Sequence, residues 1–212
     1  GMGWLYFVIM GLTAVLLGVF GSVFNTYSAL YKAKDNELLL AMPIPAPAIL
    51  AVRLFGVWFW GFVYEALVFI PAMIVYWINV KISLLTVVFD VLLLFAISAF
   101  VLTLACILGW VVAKLSSKMK SKTFARVFLS LVFLAIYYYV YYKAYSILQQ
   151  ILVNAVTIGA KVKGAVYPLY MMGRAGEGHA VDMLLFALVV AALFAIVYLI
   201  LSKSFFSMAT AN

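Results

Sequence analysis

Five long runs of apolar residues, separated by short polar or basic connections, divide the chain. A helix needs roughly 20 apolar residues to cross the hydrocarbon core of a bilayer. The runs are Trp4–Phe24, Leu54–Ile78, Leu84–Val112, Val127–Leu148 and Met183–Leu201. The pattern predicts an all-α fold, a polytopic transmembrane helix bundle with five spans in a single domain, residues 1–212.

The composition agrees with this pattern, since 69% of the 212 residues are hydrophobic and 9% are charged. A soluble domain is typically about half apolar and about a quarter charged. We therefore interpret the chain as an integral membrane protein. The single cysteine, Cys106, lies inside an apolar run, which excludes a disulfide within the chain and a cysteine-rich metal site. We expect no bound metal.

The basic residues predict which ends of the spans face the cytoplasm, because cytoplasmic loops carry an excess of lysine and arginine. With Lys143 set aside, nine basic residues fall on one side and four on the other. The four are Lys81, Lys161, Lys163 and Arg174. We expect a multi-pass protein of the cell (inner or plasma) membrane, with the N-terminus of this chain outside and its C-terminus in the cytoplasm.

The connection between the first two spans, residues 27–53, is cytoplasmic in this topology. It contains KDNELLLAMPIPAPAILAV, Lys34–Val52. We predict a short amphipathic helix over Tyr27–Met42, capped by Ser28 and ended by Pro43, because proline disfavours helix in the residue before it. Pro47 suits the first turn of the next helix. The connection is either a long turn or a rigid knob that a soluble partner grips, and a turn needs only about two to eight residues.

The phrase ELLLAMPIPAPAILAVRL, Glu37–Leu54, resembles the loop between the second and third spans of ABC-transporter permeases of the type-two exporter family, bacterial branch. The order of spans and connections is also similar to spans two to six of that six-span fold. On this resemblance the chain is a piece that lacks the first span. The resemblance implies an exporter of lipids, peptides, drugs or polysaccharides.

The resemblance also implies a division of labour, in which a separate cytoplasmic ABC ATPase binds ATP and Mg and grips the coupling helix of the permease. This chain lacks the GxxxxGK[ST] phosphate-binding motif, so we expect no cofactor and no enzymatic activity in it. The second permease half is another copy or part of a longer chain. The implied ATPase-coupling residues are Asp35, Glu37, Leu38, Leu39, Leu40, Met42, Pro43 and Pro45.

Candidates for a substrate path are the intramembrane Glu65 and the tyrosines Tyr138 and Tyr142. An ionisable residue inside the membrane is costly and is a functional hypothesis by default. Glu65 is a proton relay, a substrate contact, or a protonated or hydrogen-bonded contact between helices, for which a tyrosine is a candidate partner. The tyrosines belong to YYYVYYKAY, which forms either an aromatic belt at the outer interface or a stacking surface. Asp90, nearer the outer end of its span, is expected to face water.

Small residues at four-residue spacing, Ala14, Gly18 and Ser22, predict close helix packing in the bundle or at a dimer seam. The outer segment, residues 149–182, is apolar but interrupted by glycines and Pro168, which favours re-entrant or interfacial helices.

Three functions remain after the sequence is considered. The first is a permease that works with a separate ATPase, and the second is a secondary transporter or channel that uses Glu65. A membrane-embedded enzyme is the third, although the spans hold no histidine and no paired catalytic acids within one span.

Overall fold

A computed structural model of the protein describes residues 3–31, 43–118 and 122–210. In these ranges the chain is almost entirely helical, and no strand is present. The helices are α1 (Gly3–Tyr31), α2 (Ala46–Asn79), α3 (Leu84–Lys118), α4 (Lys122–Val153), α5 (Ala155–Ala165), α6 (Tyr167–Gly176) and α7 (Ala180–Thr210). The all-α prediction is confirmed for the described residues.

Four of these helices are long and apolar enough to cross a membrane. They cover Gly3–Leu30, Pro47–Asn79, Leu84–Leu115 and Ala180–Ser202. The protein is therefore membrane-embedded, because helices of this length and composition satisfy their backbone hydrogen bonds internally and expose apolar side chains to lipid. The helix α4 has 32 residues but is not among the four, so the fifth span remains a prediction.

The helices α1, α2 and α3 form the centre of the bundle, with α7 packed on α3 and α6 packed on α1 and α7. Two buried clusters hold them together. The Phe7 cluster lies at the predicted outer end and includes Phe7, Phe69, Leu93, Ile97 and Met172. The Leu50 cluster lies at the predicted inner end and includes Val23, Leu30, Leu50, Val57 and Cys106. Burial of these side chains fixes the helices against one another.

The end of the first long helix differs from the sequence prediction. A new helix does not start at Tyr27, because α1 continues to Tyr31 and Ser28 lies inside it. No proline or glycine interrupts residues 25–31, and Tyr27 and Leu30 are buried in the Leu50 cluster, so packing extends the helix. The predicted coupling helix therefore loses its first residues to α1, while residues 32–42 lie outside the described part of the chain.

The second long helix, α2, begins at Ala46, eight residues before the predicted membrane span that starts at Leu54. Pro45 is its N-cap, with an extended backbone, and Pro47 lies in its first turn, as the sequence predicts. Between Pro47 and Leu54 the sequence has no proline or glycine that would interrupt the helix. The membrane-spanning helix and the segment after the prolines are thus one continuous rod.

The predicted outer segment, residues 149–182, is helical and packs against the bundle. After α4 ends at Val153, the short helices α5 and α6 follow, and α6 packs against α1 with Met171 and Met172 buried. A tight turn then leads into α7. Gly178 in this turn has a positive φ of 90°, a conformation that glycine adopts without steric cost.

Candidate functional site

Most of the predicted coupling residues lie outside the described residues. These are Asp35, Glu37, Leu38, Leu39, Leu40 and Met42. The remaining two, Pro43 and Pro45, are described, and both are exposed just before α2. The structure therefore bears on this site through the two helix ends that hold the segment.

Those two helix ends are anchored firmly. Leu30 near the end of α1 and Leu50 near the start of α2 are both fully buried in the Leu50 cluster. An Nη1–H of Arg53 donates a hydrogen bond of 2.8 Å to the carbonyl of Ala29, which ties α2 directly to α1. A force on the segment between them would reach both helices.

A third helix reaches the same region. The hydroxyl of Tyr198 on α7 donates a hydrogen bond of 3.3 Å to the carbonyl of Pro47 in the first turn of α2. Leu201, also on α7, is buried in the Leu50 cluster. The end of α1, the start of α2 and the C-terminal part of α7 are therefore in contact at the predicted cytoplasmic end of the bundle.

A groove of about 560 Å³ runs between α1 and α2 beside this anchor. Its lining is mainly apolar and includes Ile44, Val52 and Trp60, while Asn25 and Arg53 supply polar groups. Ile44 and Val52 are well exposed. The groove extends from the residues after the predicted coupling segment along the first turns of α2.

Glu65 lies in the middle of α2 and is completely buried. Neither carboxyl oxygen has a hydrogen-bond partner among the described residues. The side chain fills the space left by Gly18 of α1: a Cβ at Gly18 would lie 2.8 Å from Cγ of Glu65 and 3.0 Å from Oε1. Val101 of α3 closes the same space. The hydrogen bond to a tyrosine that the sequence suggested is not present among these residues.

Asp90 is also completely buried, which contradicts the expectation that it faces water. The indole N–H of Trp77 donates a hydrogen bond of 2.6 Å to its Oδ2. Trp77 follows Glu65 by 12 residues in α2, which is about 18 Å along a helix. The apolar side chains of the Phe7 cluster, Phe69 and Ile97 among them, lie at the intervening level. The two carboxyls therefore do not form a catalytic pair.

The two candidate tyrosines have a different environment. Tyr138 and Tyr142 are exposed on α4, together with the other described side chains between Tyr137 and Tyr145. Exposed tyrosines suit both an aromatic belt and a stacking surface. They lie on a different helix from Glu65, and no described contact brings them to it.

The predicted packing residues lie inside the bundle. Ala14 belongs to the Phe7 cluster, Gly18 contacts Glu65 and Val101, and Ser22 is buried. The Ser22 hydroxyl donates a hydrogen bond of 2.6 Å to the carbonyl of Gly18, its own helix. The small residues allow α1 to approach α2 and α3 closely.

The sequence did not predict an ion pair that lies at the predicted outer end of the bundle. Nε of Arg174 on α6 lies 3.0 Å from Oδ2 of Asp182 on α7. The hydrogen bond to the Tyr170 hydroxyl raises the pKa of Arg174, and the negative charge of Asp182 adds to this effect. The pair joins two helices across the Gly178 turn, and a sequence contains no direct signal for such a contact.

The described residues contain no cluster of three or more histidine, cysteine or acidic side chains that could hold a metal ion. Comparison with known proteins found no relative: no family model, no curated protein and no solved structure matches this chain. The candidate sites are therefore interpreted from the geometry of the bundle and from the sequence itself.

Proposed function

We propose that this chain is the membrane-spanning permease subunit of an ATP-driven exporter and that a separate cytoplasmic ATPase moves it. The resemblance of Glu37–Leu54 to the coupling loop of type-two exporter permeases motivates the proposal. One observation carries it further: both helices that flank this segment are anchored in the same buried cluster. A partner that grips the segment would then move helices instead of bending a loose loop.

The mechanism follows from this anchoring. Movement of the coupling segment would act on the end of α1 and on the start of α2, which Arg53 and the Leu50 cluster hold together. Packed helices transmit such a displacement because close-packed interiors deform little. The contact of Tyr198 with Pro47 extends the connection to α7. ATP hydrolysis on the partner would thus change the arrangement of three helices.

The test is truncation of Leu39 and Leu40 to alanine, with co-purification of a cytoplasmic ABC ATPase from the native cells as the measurement. Each truncation should weaken the free energy of binding to the ATPase by roughly 2–5 kcal/mol if the leucine is buried in the partner as in a protein core. We expect normal membrane expression, loss of the ATPase and loss of transport. The matched control is the same truncation of Leu84 and Leu85, which are exposed at the start of α3. The control should retain the ATPase.

Capture of the ATPase by the Leu39 and Leu40 double variant at wild-type yield would show that this segment is not the coupling helix. Absence of any ATPase from the purified wild-type protein would contradict the permease proposal itself.

A second candidate function has its own supporting observation. A secondary transporter or channel needs a group inside the membrane that binds and releases a proton or an ion. The carboxyl of Glu65 has this character, since it is buried and has no hydrogen-bond partner in the part of the chain that the structure describes. Such a protein would transport without an ATPase. Substitution of Glu65 by glutamine separates the two candidates, as described in the Discussion.

A further inference from the structure

The carboxyl group of Glu65 is unusual among the buried polar groups of the bundle. The hydroxyls of Ser22, Thr26 and Thr103 donate hydrogen bonds to carbonyls of their own helices. Asp90 accepts a hydrogen bond from Trp77 at one of its oxygens. Glu65 has no such partner at either oxygen among the described residues. A buried polar group without a hydrogen bond lowers the stability of the arrangement that buries it.

The position of Glu65 shows which helix contact its buried carboxyl destabilises. Its carboxyl lies where three helices meet, against Gly18 of α1 and Val101 of α3. Gly61, one turn earlier on α2, leaves further room on the same side: a Cβ there would lie 3.8 Å from Oε1 of Glu65 and 3.8 Å from Cβ of Ser22. The carboxyl can reach water only if α1 or α3 moves away from α2.

We propose that Glu65 destabilises the closed contact of α1, α2 and α3, and that the bundle opens at this contact with the Glu65 carboxyl hydrated in the open state. When the open and closed states of a bundle differ by a small free energy, a cost that exists in one state alone changes the populations of both. The Glu65 carboxyl, which no described residue hydrogen-bonds, supplies such a bias because the cost of burying it exists only in the closed state. The inference concerns the bundle alone and does not depend on the ATPase.

The first test replaces Glu65 with leucine, which has a similar size and needs no hydrogen bond. We expect the melting temperature of the full chain in detergent to rise by roughly 2–4 °C or more. The matched control is Asp90→Leu, since it also removes a buried carboxyl but leaves the N–H of Trp77 without its acceptor. The control should lower the melting temperature.

The second test measures opening directly, in a Cys106→Ser background. A cysteine in place of Ser22 should react with a water-soluble thiol reagent when the contact opens. We expect Glu65→Leu to slow this reaction by about fivefold or more, because a modest gain in stability changes the open population by that factor. A cysteine in place of Ala175, which is buried on α6 away from this contact, should react at the same rate in both backgrounds.

An unchanged or lowered melting temperature of Glu65→Leu, or an unchanged reaction rate of the cysteine at position 22, would overturn the proposal. A Glu65→Met variant guards against a failure specific to the branched side chain. If neither apolar variant accumulates in the membrane while Glu65→Gln does, the closed bundle requires a polar group at this position, and the proposal is wrong.

Discussion

At the residue scale, the two buried carboxyls, Glu65 and Asp90, occupy different environments. Asp90 accepts a hydrogen bond from Trp77 of the neighbouring helix, so it contributes a specific contact between α2 and α3. Glu65 has no hydrogen-bond partner among the described residues. The sequence places Glu65 in the second predicted span and Asp90 in the third, but it contains nothing that distinguishes the two acids. Their hydrogen-bond partners, where present, come from other helices.

The substitution Glu65→Gln tests whether this residue exchanges a proton during transport. Glutamine keeps the size and hydrogen-bonding capacity of the side chain but cannot release a proton. We expect normal expression and normal transport if the ATPase drives the protein, measured by substrate uptake into vesicles. Loss of transport together with normal expression would favour the secondary transporter or channel instead.

At the scale of the elements, α6 packs so closely on α1 that two of its glycines have no room for a side chain. A Cβ at Gly173 would contact the carbonyl oxygen of Trp4 and would lie 2.7 Å from Cγ2 of Val8. A Cβ at Gly176 would contact the ring of Phe7. The interruptions that predicted a broken outer segment are thus the residues that allow α6 to pack closely on α1.

The substitution Gly173→Ala should therefore lower the free energy of unfolding by roughly 1–3 kcal/mol, because the backbone of α1 must shift. The matched control is Gly56→Ala in α2, where no atom lies within 4 Å of the added Cβ. Alanine there should be neutral or should stabilise the helix by up to about 1 kcal/mol. Thermal unfolding in detergent measures both. Equal stability of the two variants would mean that α6 does not pack on α1 in the membrane.

At the scale of the whole molecule, the packing connects the two ends of the bundle in different ways. The predicted outer end is closed by α6 and by the pair of Arg174 with Asp182, whereas the predicted inner end joins α1, α2 and α7 around the Leu50 cluster. In the proposed mechanism, the partner ATPase would act on the predicted inner end, where these three helices meet.

The orientation in the membrane is tested by cysteine labelling of intact cells in a Cys106→Ser background. His179→Cys should react with an impermeant reagent added outside, since His179 is exposed in the turn before α7. Ser117→Cys, near the end of α3 on the predicted cytoplasmic side, should not react. Gly176 is unsuitable as an outer site because it is buried against Phe7. The reverse labelling pattern would overturn the predicted topology.

The sequence by itself determined the membrane class and the helical fold, because runs of about 20 apolar residues have only one economical structure in lipid. It also placed Pro47 in the first turn of a helix, since that preference is local. The end of the first long helix was misjudged, because burial of Tyr27 and Leu30 outweighed weak local signals and extended α1 to Tyr31.

Only the tertiary structure decided which polar groups have partners. Three findings depend on side chains from different helices: the bond of Trp77 to Asp90, the pair of Arg174 with Asp182, and the lack of a hydrogen-bond partner for Glu65 among the described residues. The glycines of α6 could be noted as helix interruptions, but their role depends on the surface of α1 that they meet. Local patterns specify helices, while the contacts between helices depend on distances that a linear pattern does not contain.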